Sequence, residues 1–444
     1  MTSAPARPRA FGDGGRTWRA AAGAWLGIGT APGALVLGAQ VGGRHDGALP
    51  VLVLLVGGAV MTALLAAQGR LGLRPPAGEN AGMAELAPRY LPPVAERAFT
   101  ALLAVAMVGW FGFNLGLGGA AAAALGGVPD AVGVAALTVP LVALLITGGG
   151  RWNAVAVVTT LTAIALIGIV AVKLAPPASP VSLARDGPPG VLAADLAGYI
   201  GYVSVFAVRS PDFTVGLRGR GDLAACVALL VVPALAASVV GAGVAAASGS
   251  TDVVAVLAGP DGLPAANLFV AASVIAPTLA AVHSGALAVR RFLPPGRARP
   301  GTGAGLGTRA RLGIRARPGA DASLGTGARP GARASRVDGR QAAAVLAIAV
   351  PGAVLAALRV DRMLLDWLTV LAAALPALVP PMAAEAARRR RGRPGRPVAT
   401  WIWAPGAVVA VALTVAGHAA AAPAGLAVSA AGTLVHAWPR RTRS

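Results

Sequence analysis

An all-α membrane protein of about twelve transmembrane helices is what this chain predicts, and three observations carry that prediction. First, 56% of its 444 residues are hydrophobic and only 12% are charged, whereas a soluble domain carries about 25% charged residues. A water-soluble fold of this length has no place for so much apolar surface. Second, the apolar residues fall in long runs, and a helix that crosses about 30 Å of hydrocarbon needs roughly 20 such residues. Third, the basic residues alternate between the connecting segments in the way that the positive-inside bias requires.

Twelve runs qualify: 20–41, 48–68, 97–125, 130–147, 152–174, 190–209, 222–247, 265–289, 341–358, 363–383, 400–419 and 421–438. With the N-terminus inside, 33 of the 38 Lys and Arg residues lie on cytoplasmic segments and five on external ones. That asymmetry predicts a multi-pass protein of the plasma (inner) membrane with both termini in the cytoplasm. The expected organisation is a cytoplasmic tail (1–19), helices one to eight (20–292), a basic linker (293–340), helices nine to twelve (341–438) and a short cytoplasmic tail (439–444). The linker is Gly, Ala, Arg and Pro with almost no large apolar side chain, a composition that predicts disorder. The first residues show no compact apolar core ahead of a cleavage site, so no signal peptide is expected.

The same composition excludes several functions. The formal charge of +21 does not predict nucleic-acid binding, because the arginines cluster between apolar spans with little aromatic interleaving. Cys226 is the single cysteine, which excludes an intrachain disulfide and a Cys-rich metal site. The histidines, His45, His283, His418 and His436, include no pair at metal-ligand spacing. No span holds a nucleophile with its base, so an enzyme is not expected. No cofactor is expected either, beyond a coupling ion, H⁺ or Na⁺.

Transporters often interrupt their helices at mid-membrane, where freed backbone groups meet substrate or ion. The first span contains GIGTAPG, in which Gly29, Thr30 and Gly33 flank Pro32; proline removes a donor and glycine loosens the helix. The sixth span reads AADLAGYIGYVSVFAVRSPDFT, with Gly201, Tyr202 and Ser204 at its centre and a stop expected at Ser-Pro-Asp. Interruptions in spans one and six are what two five-helix repeats predict. In span three Trp110 and Asn114 stand four apart on one helix face, among glycines that let a backbone or a flat ligand approach. An indole stacks on a planar heterocycle and an amide pairs with its edge; packing within the bundle is the alternative reading. In span eight Ser273 and Thr278 are the mid-depth polar groups, and Pro277 is expected to kink the helix.

In order along the chain, GWFGFN (Gly109 to Asn114), PDF (Pro211 to Phe213) and DWLTVLAAALPALVPPMAAEAARRRR (Asp366 to Arg391) resemble motifs of the nucleobase:cation symporter family, the purine and cytosine permeases. The similarity runs over nearly the whole chain outside the linker and is closest in look to cytosine permeases. It implies a leucine-transporter-like fold, two inverted five-helix repeats plus two helices, and alternating access to a site between helices one, three, six and eight. Trp110 then matches a base-stacking Trp, Asn114 a pairing position, and Tyr202 and Ser204 an aromatic and a small polar contact. The chain departs from the family in span eight, where an Asn-rich pattern appears as Ser273, Thr278, Ala280 and His283 and the hydroxyl pair of a sodium-type site falls on Ala276 and Pro277. Val215 replaces an arginine after PDF. The function implied is import of a nucleobase-like substrate across the lipid bilayer by cation coupling. An amino-acid or amine carrier of the same fold, or a non-transporting permease-like sensor, are the alternatives. The oligomeric state is not legible.

Overall fold

A computed structural model describes residues 15–46, 48–147, 152–174, 181–182, 188–260, 262–293 and 339–437. The predicted C-terminal tail lies outside the described residues, as do the linker except for 293, 339 and 340 and the N-terminal tail except for 15–19. The helices are α1 (Trp18–Gly29), α2 (Pro32–Gly42), α3 (Val51–Gly72), α4 (Met83–Tyr90), α5 (Pro93–Gly126), α6 (Asp130–Thr147), α7 (Trp152–Leu174), α8 (Pro189–Thr214), α9 (Arg220–Ser248), α10 (Val253–Ala258), α11 (Ala266–Ser273), α12 (Ile275–Val289), α13 (Gly339–Ala357), α14 (Leu364–Ala374), α15 (Val379–Arg390), α16 (Thr400–Val415) and α17 (Ala421–Ala437). The strands β1 (Leu49–Pro50) and β2 (Val181–Ser182) form a two-residue parallel pair.

Every predicted span has its helix. Ten are long and apolar enough to cross a membrane, and the eleventh and twelfth, α16 and α17, are shorter. The chain is a multi-pass membrane protein. Its helices hold because small residues let them touch: Gly406 of α16 lies against the Gly425 carbonyl of α17, and Gly425 against Ala410. With no hydrophobic drive between helices in lipid, such close van der Waals packing is what remains.

The helix pairing repeats with a shift of five spans. Span one packs on span seven through α2 and α9, and span six packs on span two through α8 and α3. Span one meets span five (α1 with α7), and span six meets span ten (α8 with α14). Spans three and eight, equivalent under the shift, pack on each other as α5 and α12. Five is odd, so the second set begins on the opposite side of the membrane. The result is two inverted repeats, with spans eleven and twelve outside them.

The interruptions differ from those expected. Span one does break, at Thr30 and Ala31. Pro32 opens α2 as its first residue, and Ala31 before it is pushed to ψ 143°, as a residue ahead of proline is. Span six does not break. The helix α8 runs without interruption through Gly201–Ser204 and past the expected stop at Ser-Pro-Asp to Thr214. Two local facts account for this. Gly198 and Gly201 are used for packing rather than for bending: a Cβ on Gly201 would collide with the Leu368 carbonyl of α14. Pro211 leaves the Ala207 carbonyl without its helical donor, and the Ser210 hydroxyl donates to it at 2.7 Å. Span eight is divided at Val274, three residues before Pro277, into α11 and α12. Span ten passes through a 3₁₀ turn at Pro376–Leu378.

Candidate functional site

The site is organised by the break in span one. There the Tyr202 hydroxyl of α8 donates to the Ile28 carbonyl at 2.9 Å, so the unbroken helix clips the end of α1. The Trp110 ring stands edge-on to Tyr202, with centroids 5.8 Å apart and planes at 76°. Phe113, one turn on, meets Trp110 at 5.7 Å and 90°. Gly33, in the first turn of α2, faces both Phe113 and Tyr202. Three aromatic rings from spans three and six thus gather at the start of a half-helix in which Pro32 has no N–H and the Ala34 N–H donates to the Ala31 carbonyl at 3.0 Å. Phe113 was missed by sequence reasoning, although its position three residues after Trp110 puts it on a neighbouring face.

Below this cluster α8 carries a stripe. Tyr202, Phe206 and Phe213 are four and seven residues apart, which places them on one face. Phe206 meets Trp25 of α1 edge-on at 4.9 Å and Phe213 at 4.6 Å. Arg209, on the same stripe, pairs with Asp212 at 3.4 Å and hydrogen-bonds to Ser284 of α12. Asp212 in turn accepts from the Met83 backbone N–H at 2.6 Å. The basic end of spans one, six and eight is therefore closed by rings and then by an ion pair.

The opposite end is closed by other groups. Gln40 of α2 donates to the Arg362 carbonyl at 3.2 Å and accepts from the Leu365 N–H at 3.2 Å, which ties the second half of span one to span ten. Arg359 reaches Asp361 at 3.0 Å, Asp130 at 2.5 Å and Asp252 at 3.7 Å. Burial opposes the charge of Arg359, but its hydrogen bonds to Asp361 and Asp130 hold its pKa above the usual arginine value. His45 and Asp195 form a buried pair at 2.6 Å, with Arg44 at 3.3 Å from the same carboxylate.

The other predicted site residues sit as follows. Asn114 is buried, and its amide donates to the Trp110 carbonyl at 2.8 Å. It lies four residues from Trp110 and four from Gly118, and Gly118 packs on Val274 at the division of span eight. Its helix face thus runs from the aromatic cluster towards α11 and α12. Ser204 donates to the Gly201 carbonyl at 2.8 Å, Ser273 to Val270 at 2.9 Å, Thr278 to Val274 at 2.5 Å and Thr30 to Leu26 at 2.9 Å. Each of these hydroxyls is spent on its own helix. Gly29 faces the Leu230 backbone of α9, so it serves packing. The glycines of span three are likewise occupied: Gly109 faces Trp367, Gly116 faces Asp361 and Gly119 faces Val134. The described contacts therefore join Trp110, Tyr202, Gly33 and Phe113, with Asn114 tied to them through the Trp110 carbonyl, and do not join Gly29, Thr30, Gly201, Ser204, Ser273 or Thr278 to these rings.

No family model matches the sequence, and no curated protein matches it. Solved structures do. A closed structure of Mhp1, a nucleobase-cation-symport-1 family transporter with bromovinylhydantoin bound, superimposes with a TM-score of 0.62 at 16% identity, covering 94% of this chain and 90% of that one. An inward-facing structure of Mhp1 gives a TM-score of 0.63 at 14% identity, covering 97% and 94%. These neighbours are transporters and not enzymes. The chain has the leucine-transporter-like fold of the nucleobase-cation-symport-1 transporter Mhp1, over nearly the full length of both chains.

Proposed function

We propose that the protein is a cation-coupled secondary transporter that imports a nucleobase-like heterocycle by alternating access. The observation that carries this reading is the group of Trp110, Phe113 and Tyr202 around the break in span one. Flat aromatic walls favour a planar ring, with stacking worth roughly 1–3 kcal/mol per ring. The Gly33 N–H in the first turn of α2 supplies a donor for a carbonyl of that ring. Asn114, next along the same face, supplies an amide that both donates and accepts. Spans one and eight, each interrupted, are the elements that change angle, and α8 stays rigid.

In this reading Ser204, Ser273 and Thr278 shape the cavity wall and turn towards the ligand only when their helix bonds are exchanged. The basic linker and both termini lie in the cytoplasm. The test is uptake of labelled cytosine, uracil, adenine and a hydantoin into a permease-deficient host, with and without sodium and with and without a pH gradient. Uptake of one ring compound, dependent on one of the two gradients, supports the reading and names the ion. Absence of uptake by protein shown to reach the membrane, with ring compounds still binding, selects the sensor. Competition by free amino acids selects the amino-acid carrier.

A further inference from the structure

A lateral groove lies between α3 and α9, away from the aromatic cluster, with a cavity volume of about 420 Å³. Its wall on α3 is Thr62, Ala66 and Arg70, and its wall on α9 begins with Arg220, Ala224 and Ala228. Both sets are spaced by four, so each occupies one helix face. The alanines hollow the groove. It opens sideways: Thr62, Ala224 and Ala228 are exposed, on helices that cross the membrane. From Arg220 to Val232 it extends about 18 Å along the helix axis, which exceeds half the roughly 30 Å hydrocarbon thickness.

Its charged end is basic. Arg388 and Arg389 hold Glu385 at 2.6 and 2.8 Å, and Arg209 holds Asp212, whereas other described arginines, Arg74, Arg97, Arg391 and Arg393 among them, make no such pair. Among the described residues, Arg70 and Arg220 carry no ion pair or side-chain hydrogen bond. Arg390 of α15 adds a third positive charge that both others repel, with Glu79 the opposing charge beside it. A slot that is apolar, open sideways, directed along membrane-crossing helices and ended by guanidinium groups has the chemistry to hold a phospholipid, headgroup at the charged end and acyl chain along the trough. Arginine is suited to the headgroup phosphate because its planar fork binds two oxygens at once.

We infer that the groove between α3 and α9 binds one anionic phospholipid of the inner leaflet, with the phosphate on Arg70 and Arg220 and an acyl chain along Ala66, Ala224 and Ala228. The occupant is a lipid and not free phosphate, because the apolar trough is continuous with the charged end.

The test uses the full chain purified in detergent, with binding of phosphatidylglycerol, phosphatidylcholine and inorganic phosphate followed by native mass spectrometry. The expected result is a preference for phosphatidylglycerol that falls roughly thirtyfold in R70Q/R220Q, from about fivefold per arginine at a membrane surface. R70K/R220K keeps most of the preference, since the charge remains. Arg393→Gln, on the same face but outside the groove, keeps all of it. Ala228→Trp fills the trough with both arginines intact, loses the lipid and decides the matter if R70Q/R220Q does not fold. Equal binding by wild type and R70Q/R220Q, equal affinity for the two lipids, retained binding in A228W, or displacement of lipid by millimolar phosphate each overturns the assignment.

Discussion

Trp110 and Tyr202 occupy different roles although their rings touch. The Trp110 side chain is half-buried and its ring meets those of Phe113 and Tyr202, and in the proposed function it is the surface on which the ligand stacks. Trp110→Ala is expected to weaken uptake by roughly fivefold to 150-fold, the equivalent of one stacking contact, with membrane expression unchanged; uptake kinetics beside a surface-expression blot checks this. Tyr202 is buried and holds the Ile28 carbonyl. Tyr202→Phe keeps the ring and removes one hydrogen bond of about 1 kcal/mol. The expected outcome is about a fivefold rise in the half-saturating substrate concentration, whereas an unchanged value shows that the clip does not set the shape of the break.

At the scale of single elements, proline and glycine act according to what faces them. Pro32 opens α2 after a break, and the Ile28 carbonyl it leaves without a helical donor is taken by Tyr202 of a different helix. Pro211 leaves α8 whole because Ser210 takes the freed carbonyl. Gly201 is a packing residue, so Gly201→Ala is expected to destabilise the protein by about 1–3 kcal/mol through overpacking against Leu368, seen as a lower midpoint of thermal unfolding. A flexing glycine would give the other result: unfolding unchanged and transport slowed. The short helix α4 shows a different kind of attachment. Tyr90 donates to Glu79, lies under the Arg389 guanidinium at 4.0 Å, and its carbonyl accepts from Val398 at 2.6 Å.

Across the whole molecule, the two ends of the bundle are locked by separate polar sets, and one of them responds to pH. Burial, reinforced by Glu79, pushes the Tyr90 phenol above its usual value. The unfolded chain therefore loses this proton near pH 10 while the folded one keeps it, so stability falls as pH rises above that point. Below it the contribution is fully present. Unfolding midpoints measured from pH 8 to pH 11 are expected to drop steeply for the wild type and less for Tyr90→Phe. The linker between spans eight and nine also has a structural frame. Arg340 donates to the carbonyls of Arg290 and Leu293, at 3.1 and 2.9 Å, so the chain leaves and re-enters the bundle at one place. The segment 294–338 is consequently proposed as an insertion whose replacement by a few Gly and Ser residues leaves uptake intact.

What the sequence determined by itself is the set of helices, their membrane character and, through three ordered motifs, the fold. Those follow from composition and from runs of apolar residues, which depend on neighbours along the chain. Trp110 was legible because a large aromatic inside a glycine-rich span is unusual at any position. What only the tertiary structure decided is which glycines bend and which pack, where span eight divides, and which polar groups are already satisfied. Gly29 and Gly201 look alike in sequence to a hinge, and each is pressed against a backbone from a helix far away in the chain. Ser204, Ser273 and Thr278 look like ligands and instead donate within their own helices. The lateral groove joins residues about 150 apart, Arg70 and Arg220, and no local pattern foretells a meeting of that kind. Periodicity reports which face a residue is on; only the packed bundle reports what that face meets.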